Sequence, residues 1–157
     1  MFQKDFLGGI LLLLLFNFFG CSHLGNHSLT NEQLIERGTN SYRQNIWEKA
    51  ILDFNEVLKR DPLNSTAHFK IGVIYHKKGQ IEEAINKYQR TLMIDPFYSK
   101  AYFNLALIYY KNKNNIEKAL DYFDKYLKLE PTSKERFKIF ELAESQKKEK
   151  SNSNNIK

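Results

Sequence analysis

The chain has three prolines, Pro62, Pro96 and Pro131, spaced thirty-four and thirty-five residues apart. Each follows an acidic residue, Asp61, Asp95 or Glu130, that closes an apolar-periodic stretch. Proline has no N–H and pushes the residue before it out of helical geometry, so each one stops a helix. The unit between the first two breaks, Ser65–Pro96, carries two helical patterns on either side of Lys78-Gly79-Gln80. Ile71, Gly72 and Tyr75 share one helix face in the first half, and Ala84, Ile85, Tyr88 and Leu92 share one in the second. Gly79 adopts a positive φ at little cost, which suits the end of the first helix. A helical hairpin of this kind has one apolar side too wide to bury by itself. A neighbour of the same shape on each side would cover it.

The sequence supplies those neighbours. Lined up on the prolines, Ala50, Ala84 and Ala119 coincide, as do Phe54, Tyr88 and Phe123. Gly38, Gly72 and Ala106 also coincide, the third turn, Lys111 to Asn115, being one residue longer than the other two. A period of about thirty-four with small and aromatic residues at these places resembles the tetratricopeptide repeat family. Ser65–Pro96 and Ser99–Pro131 resemble full repeats and Asn31–Pro62 a terminal one. The resemblance implies an all-α fold. Three helical hairpins, at about 31–64, 65–98 and 99–133, stack into a right-handed α-α superhelix, and a C-terminal capping helix over 133–149 completes it. Gly72 and Ala106 would let the first helix of a hairpin approach the second, and the Phe or Tyr opposite would fill the space beside the alanine.

Outside the repeats the chain is of a different character. Residues 1–20 begin with Lys4 and continue as an apolar run, Phe6 to Phe19, that ends at Gly20-Cys21. The run is shorter than the ~20 residues of a spanning helix and fits the core of a signal peptide. With the only cysteine of the chain directly after it, the segment resembles a bacterial lipoprotein signal, which implies cleavage before Cys21 and lipidation of its sulfur. An ordinary secretory signal or an uncleaved anchor is the alternative. Residues 21–30 read as a flexible tether of Ser, His, Gly and Asn. Thr30 with Gln33 starts the first helix near Asn31, Asn45 with Glu48 is placed to cap the second, and Thr132 with Glu135 to cap the last. That last helix, Lys134 to about Lys148, has an apolar face of Phe137, Ile139, Phe140, Leu142 and Ala143, expected to cover the end of the third repeat. Residues 150–157 are expected to be disordered.

No catalytic constellation is present. His68 and His76 are eight apart on one helix and do not make the i, i+4 pair that clamps a metal, and a single cysteine allows neither an internal disulfide nor a multi-cysteine metal site. No glycine-rich phosphate loop or nucleophile motif occurs, so neither enzymatic activity nor a cofactor is expected. The net charge is +6. Its lysines alternate with acids on helix faces instead of forming the concentrated basic track that nucleic acid requires.

The family resemblance implies a concave wall built mainly from the first helix of each hairpin. Position by position, it places Ile35, Thr39, Tyr42 and Arg43 there from the first repeat. Phe69, Val73, His76 and Lys77 follow from the second, and Lys100, Phe103, Leu107, Tyr110 and Lys111 from the third. Apolar and aromatic residues with basic rims suit a protein or peptide partner. Some family members grip a C-terminal carboxylate with Lys, Asn and Arg. Those places here hold Ile35, Thr39, Lys70, Lys100 and Asn104, so no such clamp is expected.

The expected function is a non-enzymatic adaptor anchored by lipid to a bacterial envelope membrane, at its periplasmic or outer face, holding a partner protein in the groove. Two alternatives are a surface-exposed lipoprotein that binds an extracellular or host ligand, and a module that binds cell-wall glycan. The anchor makes a direct prediction. Protein extracted from membranes should have an intact mass that lacks residues 1–20 and carries acyl chains on Cys21. A mass showing an unmodified Cys21, or a retained Met1, rules the lipoprotein assignment out.

Overall fold

Three hairpin turns share one device. Asn45, Gly79 and Asn114 stand at matching places and all take positive φ, at 61°, 75° and 45°. Each turn then returns an N–H to the end of the preceding helix: Ile46 N to Ser41 O, Gln80 N to Tyr75 O, and Asn115 N to Tyr109 O, at 2.9, 2.9 and 2.8 Å. This is a left-handed helix stop that satisfies carbonyls the helix leaves open. Asn45 therefore terminates a helix and does not cap the next, where Ile46 holds the cap position without a side-chain bond. Asparagine serves at two of the three sites because it tolerates the left-handed region better than most side-chain-bearing residues.

The computed structural model describes residues 29–154. The signal segment, Cys21 and most of the expected tether lie outside the described residues, as do 155–157. Seven helices follow one another: α1 (Asn31–Arg43), α2 (Trp47–Arg60), α3 (Ser65–Lys77), α4 (Ile81–Ile94), α5 (Ser99–Lys111), α6 (Ile116–Leu129) and α7 (Arg136–Asn154). No strand occurs among the described residues. Helices α1 and α2, α3 and α4, and α5 and α6 pair as hairpins, and each hairpin packs on the next through α2 against α3 and α4 against α5. Helix α7 packs on α6. The fold is thus the all-α stack of three hairpins and a final helix that the repeat period implied. Among the described residues no helix is long and apolar enough to cross a membrane.

Close approach of paired helices sets the geometry. A Cβ on Gly38 would lie 2.8 Å from the Phe54 ring, and one on Gly72 would lie 2.9 Å from the Tyr88 ring. Phe54 and Tyr88 are fully buried, as are Ala50, Ala84 and Ala119. Ile74, Leu105 and Ile108 join them in the core, and Thr91, also fully buried, donates its hydroxyl to Lys87 O at 2.9 Å.

The first repeat departs from the other two. Arg37 stands where they have Ile71 and Leu105, and it forms a two-pronged ion pair with buried Asp53, Nε to Oδ2 at 3.0 Å and Nη2 to Oδ1 at 2.5 Å. The Asp53 hydrogen bond raises the Arg37 pKa. A half-exposed guanidinium can reach water here because no hairpin precedes this one within the described fold, and terminal repeats are polar on that side.

The C-terminal end differs from its sequence reading in three respects. Helix α7 starts at Arg136, two residues after the expected Lys134, and runs to Asn154, so residues 150–154 are helical, not disordered. The stretch Lys147 to Lys150 consists of strong helix formers, which propagate a helix already docked at Ile139. Capping uses Ser133 and not Thr132: its Oγ accepts from Glu135 N at 3.1 Å. Finally, Phe137 and Phe140 are 72% and 65% exposed, whereas Ile139 is buried. At 100° per residue the two phenylalanines turn away from the side that meets α6.

Replacing Gly72 with Val should destabilise the protein by about 1–3 kcal/mol, the usual cost of overpacking a filled site. The converse change, Ala106→Gly in the third repeat, should cost about 1 kcal/mol through helix propensity alone. Urea unfolding followed by circular dichroism measures both, and equal stability of Gly72→Val and the parent would contradict the close approach.

Candidate functional site

The residues expected on the concave wall come from α1, α3 and α5, and most of them are accessible. Arg43, Lys77, Lys100, Tyr110 and Lys111 are exposed, while Ile35, Thr39, Tyr42, Val73, His76, Phe103 and Leu107 are half-buried. Phe69 is the exception. It is only 8% exposed, with its ring 4.8 Å from Tyr98 and 5.6 Å from Tyr88, so it belongs to the core and not to a binding wall. Tyr98 lies in the turn between hairpins, and its reach over Phe69 cannot be read from helix periodicity. The Thr39 hydroxyl donates within its own helix to Ile35 O at 2.7 Å. Asn104 Nδ2 donates to the Tyr88 hydroxyl at 3.3 Å, which ties that amide to the fold. Of the five positions a carboxylate clamp would use, Ile35 is apolar and Thr39 and Asn104 are engaged within the fold, while Lys70 and Lys100 are cationic.

Cations gather on this surface from different helices. The Lys70 pKa is lowered, first by burial of its half-buried ammonium and then by the nearby charges of Arg43 and Lys100. His76 is lowered in the same way, by burial and then by Lys77 and Lys111. Several lysines elsewhere are paired: Lys78 with Glu48 at 2.9 Å, Lys125 with Asp121 at 2.9 Å, Lys128 with Asp124 at 2.7 Å, and Lys113 with Glu82. Arg43, Lys70, Lys77, Lys100 and Lys111 have no carboxylate partner among the described residues.

At the third repeat the wall opens into a cavity of about 290 Å³. Phe103, Leu107 and Tyr110 of α5 and Phe123 of α6 form one side, and Ile139 and Leu142 of α7 form the other. Phe103 is held by edge contact with Phe123 (5.9 Å) and by Tyr126 (5.0 Å). Lys111, Lys138 and Glu135 line the remainder. Glu135 is committed to a local chain of hydrogen bonds: the Tyr126 hydroxyl donates to Ser133 Oγ at 2.9 Å, and Ser133 Oγ donates to Glu135 Oε2 at 2.6 Å. The Ser133 bond lowers the Glu135 pKa. Four wall residues named from the sequence, Phe103, Leu107, Tyr110 and Lys111, thus meet in one pocket. The sequence reading missed the contribution of Ile139, Leu142 and Lys138, because it assigned α7 to covering the core. Among the described residues no cluster of His, Cys, Asp and Glu could hold a metal ion.

Family models place the stack. A model described as TPR repeat matches residues 72–113, and models described as tetratricopeptide repeat match 99–133 and 54–86. The chain belongs to the tetratricopeptide repeat family. The first TPR of Spaghetti (RPAP3), solved bound to the HSP90 peptide SRMEEVD, superposes with a TM-score of 0.66 at 19% identity, covering 74% of this chain and 92% of that one. The Yersinia enterocolitica type III secretion translocator chaperone SycD, in an alternative dimer, gives 0.67 at 22% identity, covering 78% and 96%. MamA protein gives 0.58 at 25% identity, covering 65% of this TPR chain and 55% of MamA. These likenesses concern the fold. No curated protein matches the sequence at a significant level.

Two histidines should make the stability of this TPR protein depend on pH. His68 is buried, its Nε2 donating to Pro62 O at 3.1 Å while Nδ1 has no partner, the pattern of a neutral ring protonated on Nε2. Burial lowers its pKa, as it does that of His76. An unfolded histidine titrates near 6.5, so below that value the unfolded chain binds protons the folded chain resists. Stability should therefore be full above pH ~6.5 and fall as the pH drops towards the lowered folded values. The carboxylates Glu48, Glu56 and Glu135, whose pKa values are also lowered, act only below this window. Urea midpoints at pH 7.5 and 5.5 should differ in that direction. A His68→Gln, His76→Gln double variant should lose most of the difference, and an unchanged slope would refute the assignment.

Proposed function

We propose that this TPR protein is a non-enzymatic adaptor that holds a partner protein against its concave wall, anchored by lipid on Cys21 at the periplasmic or outer face of a bacterial envelope membrane. The observation that carries the binding reading is the wall itself. Half-buried Val73, Phe103 and Leu107 and exposed Tyr110 stand beside cations contributed by all three repeats, without carboxylates to neutralise them. Exposed apolar and aromatic area bordered by unbalanced charge is costly to keep in water and is what a recognition surface requires. The TPR of Spaghetti was solved with a peptide bound, which supports a peptide-binding use of the fold. The anchor is supported by the sequence alone, through the position of the only cysteine directly after the apolar run. An envelope protein of this design would serve the assembly of a membrane complex or recruit an enzyme to it.

Photocrosslinking in living cells from positions 103 and 107 tests the reading, with mass spectrometry of the adducts. One dominant protein adduct is expected, and it should be lost in a Lys100→Ala, Tyr110→Ala variant that retains its helical circular dichroism. Adducts with the protein itself alone, or none, would refute a partner site on this wall.

A further inference from the structure

The cavity between α5, α6 and α7 and the cations beside it fit one kind of occupant. We propose that the pocket takes a single large apolar side chain, a Leu, Phe or Trp, from an acidic segment of the partner, whose carboxylates lie along Lys111, Lys138 and the Arg43, Lys70 and Lys100 group. This rests on the concave-wall reading above and names the chemistry that the wall selects.

Three observations lead there. First, size: 290 Å³ is at the bottom of the range of about 300–1,000 Å³ for small-molecule and cofactor sites, which leaves room for a side chain more readily than for a free ligand. Second, lining: the walls are aromatic and aliphatic from three helices, and Phe103 is already fixed by Phe123 and Tyr126, so little ordering is required on binding. Third, charge: Lys111 and Lys138 flank the pocket, and the only carboxylate among its lining residues, Glu135, is held by Ser133. Further along the wall Arg43 and Lys100 lie close enough to Lys70 to help lower its pKa. A basic or neutral segment would leave this repulsion in place, and an acidic one relieves it. An acyl chain or a second copy of the protein would fill the apolar part but would not by itself answer the five cations.

Selection from a random peptide library displayed on phage, against the full-length protein, tests this. Enriched sequences should share Asp or Glu flanking one Leu, Phe or Trp. Anisotropy with the best fluorescent peptide should show binding that weakens as salt is raised from about 50 to 300 mM. A Lys111→Glu, Lys138→Glu variant, changed only at exposed positions, should bind roughly tenfold more weakly or worse through charge repulsion, and separately Leu142→Asp should do so through loss of the apolar contact. If peptides bind but are basic or uncharged, or if both variants bind as the parent does, the pocket assignment falls and the wall reading stands. If no peptide of any composition is enriched on the folded protein, both fall.

Discussion

Everything in this structure depends on how closely two helices of one hairpin can pass. The contact is made by a small residue on the first helix and a ring on the second: Gly38 on Phe54, Gly72 on Tyr88, and Ala106 at the matching place opposite Phe123. With a larger residue at the first position the ring would have to leave, and the alanine beside it, Ala50, Ala84 or Ala119, would line a void. The contacts at Gly38 and Gly72 fix the angle inside their hairpins, and Ala106 and Phe123, at the matching places of the third, share its buried core. Repeating that angle three times sets the orientation of α1, α3 and α5 to one another, and hence places wall residues thirty-four positions apart on one surface. Stability and recognition are linked by this repetition. In a repeat stack each hairpin contacts only its neighbours, so an error of angle in one is passed to the next.

The turns reinforce the same geometry by different residues. Asn45, Gly79 and Asn114 share a left-handed conformation, yet only one is glycine. The third turn absorbs an extra residue before its left-handed position, and its final bond, Asn115 N to Tyr109 O, still forms at 2.8 Å. An insertion is accepted there because an exposed turn has no neighbour to displace.

What could be read in advance followed from local rules with a fixed period. The helix breaks at Pro62, Pro96 and Pro131, the small residue on the first helix, and the ring opposite it all rest on spacing, and all hold in the structure. The failures have a common origin in contacts from outside the helix concerned. Phe69 has the spacing of a wall residue, but Tyr98 from the next inter-repeat turn closes over it. Phe137 and Phe140 have the hydrophobicity of a core, but α7 has a neighbour on one side only, and Ile139 takes that side. Asn45 has the composition of a cap, but the left-handed turn claims its backbone. Each is a choice among positions that a single helix makes equivalent and that its neighbours then distinguish. The candidate site was legible to the same extent. Its α5 residues were named from the period, whereas its α7 residues depended on where a helix without a repeat partner comes to rest.

Helix α7 accordingly does more than shield the last hairpin. In a longer stack the place beside α5 and α6 would be taken by another hairpin, whose small residue would bring its helices in closely. Helix α7 instead meets α6 through Ile139, and Leu142 faces Leu107 and Tyr110 across an open space. The gap follows from ending a regular array with an irregular element: the period prescribes how repeat meets repeat, and it prescribes nothing for the helix after the last one. A cavity at the end of the stack can therefore vary in shape without disturbing the angles inside any hairpin. The adjoining charge follows the same logic, since Lys111 and Lys138 occupy positions that no hairpin contact constrains. A repeat protein that must recognise one partner among many has its freest choice of side chains at this end, where pocket and cations coincide.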